Sequence, residues 1–135
     1  MICMFDTNAI SALIHHRRGF ERLAVRVDAL GVGERVVSAV TMSEIETMIA
    51  KAKEPGGKSA KVRLVLTQFN LADFGETAAF HAGQIRAYLE PRGLGIGPLD
   101  TLIAAHARSL GAAIVTDDVG EFSRVPGLVV ESWLR

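Results

Sequence analysis

The chain has 135 residues with 49% hydrophobic and only 6% aromatic side chains, which suits one domain with an aliphatic core and excludes intrinsic disorder. Fifteen basic and fifteen acidic residues cancel, so any nucleic-acid binding must come from local patches or a bound cation, not from bulk charge. A single cysteine, Cys3, excludes a disulfide framework and any multi-cysteine metal cluster.

Short apolar runs alternate with helical periods, the pattern of an α/β fold with a mostly parallel sheet of four or five strands flanked by helices. Ile2–Phe5 is too short for a helix and reads as a strand buried on both faces. Ala9, Ile10, Leu13 and Ile14 then predict a helix from Thr7 to His16, and Phe20, Leu23, Val27 and Leu30 a second one. A valine-rich strand is predicted at Val36–Val40, and Thr41 opens a third helix carrying Ile45, Met48 and Ile49. Glu54-Pro55-Gly56-Gly57 breaks the chain as the turn of a helical hairpin, and Val62, Val65, Leu66 and Phe69 resume the helical period. A short strand near Asn70–Ala72 precedes a helix over Glu76–Leu89, a loop with Gly93, Gly95 and Gly97, and a helix over Pro98–Leu110. Ala113–Val115 reads as a strand, Val119–Phe122 as one helical turn and Leu128–Val130 as a last strand, with Trp133 covering the edge of the core. Residues 1–135 form one domain on this reading. A charged leader and an apolar run of membrane-spanning length are both lacking, so a cytoplasmic protein is expected.

Asp6, Glu44, Asp100 and the pair Asp117-Asp118 each follow a predicted strand or begin a predicted helix. Each has a plain structural explanation. Asp6 can cap its helix, and Thr41-Met42-Ser43-Glu44 fits a capping box. Asp100 can favour a helix dipole, and the aspartate pair can be turn residues. In an open parallel sheet, however, the carboxyl ends of the strands share one edge where ligands bind. Carboxylates gathered there repel one another, and a hard cation such as Mg²⁺ or Mn²⁺ relieves them through all-oxygen ligation. Thr7, Asn8, Ser43, Thr101 and Thr116 lie beside these acids in sequence and can orient ligating groups or merely close helix ends. The four histidines form no zinc-binding spacing.

Phe5-Asp6-Thr7-Asn8-Ala9-Ile10, Ser38-Ala39-Val40-Thr41-Met42-Ser43-Glu44, Ile96-Gly97-Pro98-Leu99-Asp100-Thr101-Leu102-Ile103-Ala104-Ala105-His106-Ala107 and Ile114-Val115-Thr116-Asp117-Asp118 occur in the order and spacing of four motifs. Together with Glu121-Phe122-Ser123-Arg124-Val125-Pro126-Gly127-Leu128 they resemble PIN-domain nucleases, specifically the VapC toxins of type II toxin–antitoxin pairs, over nearly the whole chain. The resemblance implies a PIN-like fold and a Mg²⁺- or Mn²⁺-dependent endoribonuclease. It also implies a homodimer and a VapB-type antitoxin partner. Asp6, Glu44 and Asp100 match the first three acidic positions. Asp118 is favoured for the fourth, with Asp117 as a supporting neighbour, although two consecutive aspartates depart from the asparagines frequent there. Arg86, Arg17 and Arg18 are candidate RNA contacts.

Two other chemistries fit poorly. Haloacid-dehalogenase-type phosphatases need an aspartate where Asn8 stands, and receiver domains need a late lysine, whereas no lysine follows Lys61. A PIN-like module that binds RNA or protein without cleaving is the competing expectation.

Overall fold

A computed structural model describes residues 1–134. Five strands form one sheet: β1 (Cys3–Phe5), β2 (Arg35–Ser38), β3 (Asn70–Ala72), β4 (Ala113–Val115) and β5 (Val130–Glu131), in the order β3-β2-β1-β4-β5. Every pairing is parallel. The helices are α1 (Thr7–His15), α2 (Phe20–Ala29), α3 (Ala39–Ala50), α4 (Pro55–Leu66), α5 (Glu76–Leu89), α6 (Pro98–Ser109) and α7 (Val119–Phe122), with short 3₁₀ turns at Val32–Glu34 and Glu90–Arg92. None is long and apolar enough to cross a membrane.

Period-two alternation along the strands builds two cores. Cys3, Phe5, Val37, Ala113 and Val115 face one way, onto Ile10, Leu23, Ile45 and Val62 of α1–α4. Met4, Val36 and Ile114 face the other way, onto Ile85 of α5, Ile103 and Ala107 of α6, and Phe122 of α7. Both faces of the sheet are therefore covered, which is why its strands read as unbroken apolar runs. Trp133 is buried edge-on against Phe5, 5.4 Å between ring centroids.

Several boundaries differ from expectation. The turn expected at Glu54-Pro55-Gly56-Gly57 is shorter, because Pro55, placed at the first helical position, starts α4 and carries Gly56 and Gly57 into it. Two further shifts lie in β2 and β5. The second strand ends at Ser38, two residues before the expected Val40. The Ser38 hydroxyl accepts the Val40 N–H at 3.1 Å and so starts α3 at Ala39 instead of Thr41. Thr41 is consequently a buried position inside the helix, and the capping box with Glu44 does not form. The last strand is shifted to Val130–Glu131 from Leu128–Val130, because the Ile114 N–H donates to Val129 and the Thr116 N–H to Glu131. His106 is buried, sharing a 2.7 Å hydrogen bond between Nδ1 and the Ser38 hydroxyl. Burial holds its pKa below the usual imidazole value, offset in part by the Asp73 backbone. It ties α6 to the start of α3, a packing role.

Candidate active site

The chain leaves β1 for β2 on one side, and β4 lies against β1 on the other. The gap between the carboxyl ends of β1 and β4 is thus the switch point of the sheet, where open α/β sheets hold ligands. Phe5 pairs with Val115 in register, so Asp6 and Thr116 emerge side by side.

Asp6 is 1% exposed. Its Oδ1 accepts the Ala9 N–H at 2.8 Å, capping α1, and its Oδ2 accepts the Thr116 hydroxyl at 2.5 Å. The cap explanation is therefore true of one oxygen only. Burial pushes the carboxyl up to about 7. The bonds from Thr116 and Ala9 pull it down, while the charges of Asp100 and Asp118 raise it further.

Thr116 works in both directions, since its Oγ1 also accepts the Asp118 N–H at 2.9 Å. That turn leaves Asp117 exposed and Asp118 half-buried. Thr116→Val keeps the shape but strips a partner from each aspartate. The expected loss is about 1–3 kcal/mol of stability, with a drop of roughly 10–100-fold in divalent-cation affinity. Urea unfolding and calorimetric Mn²⁺ titration read the two effects separately.

Asp100 stands on the first turn of α6, set there by Pro98 at the helix start and Gly97 before it. Burial raises its pKa, and the charges of Glu44 and Asp118 add to the rise. Asp100 is thus the group that the other acids surround. Glu44 comes from α3, where its Oε1 accepts the Thr7 hydroxyl at 2.5 Å. This bond reaches across to α1, in place of the expected capping bond to Thr41.

Sequence reasoning missed Glu121. Carboxylate oxygens of Asp100, Asp118 and Glu121 all lie within 4.8 Å of one another. The pKa of Glu121 is raised, first by a hydrogen bond with Asp118, then by burial and by the charges of Asp118 and Asp100. The available signal was the spacing Asp118-x-x-Glu121, one helical turn, hidden because the helix is four residues long.

The other expected participants divide. Thr7 and Thr116 hold acids, and Asn8 lines a cleft that also contains Asp118. Ser43 does not join them, because its hydroxyl donates to the Val40 carbonyl at 2.7 Å in its own helix. Thr101 likewise donates to the Gly97 carbonyl at 2.9 Å. These are the local back-bonds open to hydroxyls in helices. Arg86 pairs with Glu90 at 2.9 Å and with none of the acids, and it borders a separate hollow beside Pro98 and Thr101. Arg17 and Arg18 line the cleft with Asn8 and Asp118.

The donor set fits a hard divalent cation. All the converging groups are carboxylates, and among the described residues Asp6, Glu44, Asp100 and Asp118 have no lysine or arginine ion-pair partner. Burial raises the pKa of Asp6 and Asp100, and the charges of neighbouring acids raise both further, a cost that a bound cation would relieve. No histidine or cysteine joins the cluster among the described residues, so the donors there are oxygens, the ligands that hard divalent cations take.

Comparison with known proteins places this geometry. The PIN domain model matches residues 3–128. Ribonuclease VapC2 of Rickettsia felis is 31% identical over 135 residues, covering 98% of each chain. The tRNA(fMet)-specific endonuclease VapC of Salmonella typhimurium is 34% identical over 130 residues, covering 96% of each. The solved structure of VapBC2 from Rickettsia felis, bound to a DNA fragment from its promoter, contains a chain that superposes with a TM-score of 0.91 at 29% identity. That match covers 98% of this chain and 99% of the other.

Proposed function

This chain belongs to the PIN-domain family and to its VapC ribonucleases, and on that premise we propose that it is a Mg²⁺- or Mn²⁺-dependent endoribonuclease, the toxin of a toxin–antitoxin pair. The observation that carries this reading is the convergence of Asp100, Asp118 and Glu121 near the buried Asp6 at the sheet switch point, with no lysine or arginine ion pair to Asp6, Asp100 or Asp118 among the described residues.

Asp6, Asp100 and Asp118 are the residues that would hold the cation, with Glu121 beside them and Glu44 at the margin. A divalent cation bound there supplies positive charge against the phosphate and acidifies water to a usable nucleophile. The chain's own contribution is orientation. Thr116 fixes both Asp6 and Asp118 through one hydroxyl. Thr7 holds Oε1 of Glu44, leaving Oε2 to orient the attacking water. Glu121 lies against Asp118, and the hydrogen bond between them raises the Glu121 pKa, so a cation held by Asp118 would also lie within reach of Glu121.

Water as the nucleophile makes the RNA 2′-hydroxyl a bystander. Products should carry 5′-phosphate and 3′-hydroxyl ends, and a single 2′-deoxy substitution at the cleaved bond should leave cleavage in place. End analysis of the fragments checks this, and a 2′,3′-cyclic phosphate would contradict it.

A VapB-type antitoxin and a second copy of the chain complete the proposal, acting in the cytoplasm. Support for the antitoxin comes from solved relatives that are VapBC complexes. Exposed Phe80 and Tyr88 on α5 offer apolar surface to a partner chain.

A further inference from the structure

The acid cluster opens at one side into a cleft of about 550 Å³ lined by Asn8, Arg17, Arg18, Asp117, Asp118 and Leu134. A second hollow of about 600 Å³ shares Arg18, Asp117 and Leu134 with it and extends to Arg22. Through these shared residues the two hollows together outline a trough from Asp118, a carboxylate of the cluster, along the turn between α1 and α2 to Glu21 and Arg22.

That turn is built to hold its shape. His16 ends α1 in the left-handed conformation, φ 50°, and the Arg17 N–H closes onto the Ala12 carbonyl at 3.0 Å, an αL helix stop. The His16 ring stacks on Phe20, with centroids 4.3 Å apart and planes 4° from parallel. Gly19, φ 89°, lies so close to the final segment that a Cβ there would sit 2.1 Å from the Leu134 carbonyl oxygen. Arg17 and Arg18 are thus exposed side chains on a braced backbone, and neither has a carboxylate ion-pair partner among the described residues.

We propose that this trough carries the single-stranded RNA segment adjoining the cleaved bond, with Arg17 and Arg18 as its phosphate contacts. The inference rests on the nuclease reading above and deepens it. A phosphodiester strand suits both ends of the trough. At one end guanidinium groups meet its phosphates, and at the other the acid cluster holds the cation. Asp117 and Asp118 repel the carboxylates of an acidic protein segment as they repel phosphates, so the choice of RNA rests on the nuclease reading, which brings a phosphodiester to the acid cluster. Arg86, paired with Glu90 beside a separate hollow, lies outside this path.

The test uses the full-length Asp100→Asn protein, so that RNA binds without being cut, and a short fluorescent single-stranded RNA read by anisotropy across a salt series. Adding Arg17→Ala and Arg18→Ala should weaken binding roughly tenfold or more at low salt and flatten the logarithmic salt slope by about 1.4. Arg17→Lys with Arg18→Lys should restore the slope, because charge and not fork geometry sets it. Removing two charges elsewhere, with Lys53→Ala and Lys61→Ala, should leave both affinity and slope in place. In the cleaving protein, the double alanine variant should raise KM for RNA. Unchanged RNA affinity in the alanine variant, or an equal loss in the lysine control, would overturn the trough. So would loss of poly-glutamate binding with RNA binding intact, which would assign the arginines to an acidic protein. If the unmodified protein cleaves RNA while the trough test fails, only the trough is wrong; if it cleaves no RNA, the nuclease reading itself has failed.

Discussion

Replacing Asp6 with asparagine should lower RNA cleavage by at least about 10³-fold, or ~4 kcal/mol of transition-state stabilisation, and should nevertheless make the cation-free protein more stable at pH 8. The second effect follows from burial. The Asp6 carboxyl is pushed up to about 7 in the folded chain, from 3.8 when unfolded. Below about pH 4 both states carry the proton, and Asp6 brings no charge penalty. Between the two values only the folded state keeps the proton, so stability contributed by Asp6 declines as pH rises, and above pH 7 the full cost of a buried carboxylate is felt. That cost is at most about 4 kcal/mol. Asparagine removes it and keeps the cap on the Ala9 N–H, but it leaves the Thr116 hydroxyl without its acceptor, which returns ~1–2 kcal/mol. A net gain of about 1–3 kcal/mol at pH 8 is expected, absent at pH 4, in urea melts run with EDTA. Millimolar Mg²⁺ should raise the midpoint of the parent protein and leave the variant unmoved. A variant less stable than the parent at pH 8 would mean that the acids are neutralised by something other than a cation.

The largest effect on folding is expected one residue earlier. Phe5 is fully buried and meets Phe69 and Trp133 edge-on, at 5.2 and 5.4 Å between ring centroids. These three rings join β1 to the end of the helical hairpin and to the last segment of the chain. Phe5→Ala should cost about 3–5 kcal/mol, a large share of the roughly 5–15 kcal/mol that holds a domain of this kind together. Phe5→Leu refills most of the space and should cost far less. Urea midpoints of the two variants measure this. A loss below about 1 kcal/mol for the alanine variant would show that the site rests on some other anchor.

The alternation of apolar runs and helical periods made the parallel sheet legible, because strands covered on both faces leave no polar alternation to confuse them. Ser38 was not legible as a cap. The apolar Ala39-Val40 beside it extends the look of a strand, and only the hydroxyl's bond to the Val40 N–H turns the chain into α3. Inside that helix Glu44 bonds the Thr7 hydroxyl and not the Thr41 backbone. Asp6 and Asp118 could be read as neighbours because each follows a central strand. Asp100 could not be placed from topology, since its helix leads into a strand instead of leaving one. Glu121 escaped for a different reason: a glutamate on a helix of four residues resembles any solvated acid until Asp118 is folded against it. Arg86 attracted a substrate role by its sequence surroundings, and its partner Glu90 is simply the next turn of the same helical path.

The central claim is that acids gathered around Asp100 hold a cation that cleaves RNA. It is tested most directly by incubating RNA with the purified, antitoxin-free protein in Mg²⁺, Mn²⁺ or EDTA, beside an Asp100→Asn variant prepared identically. Discrete fragments that require the cation and disappear with the variant are the predicted result. Cleavage that persists in EDTA, cleavage equal in the variant, or no cleavage of any RNA by the folded protein would contradict it.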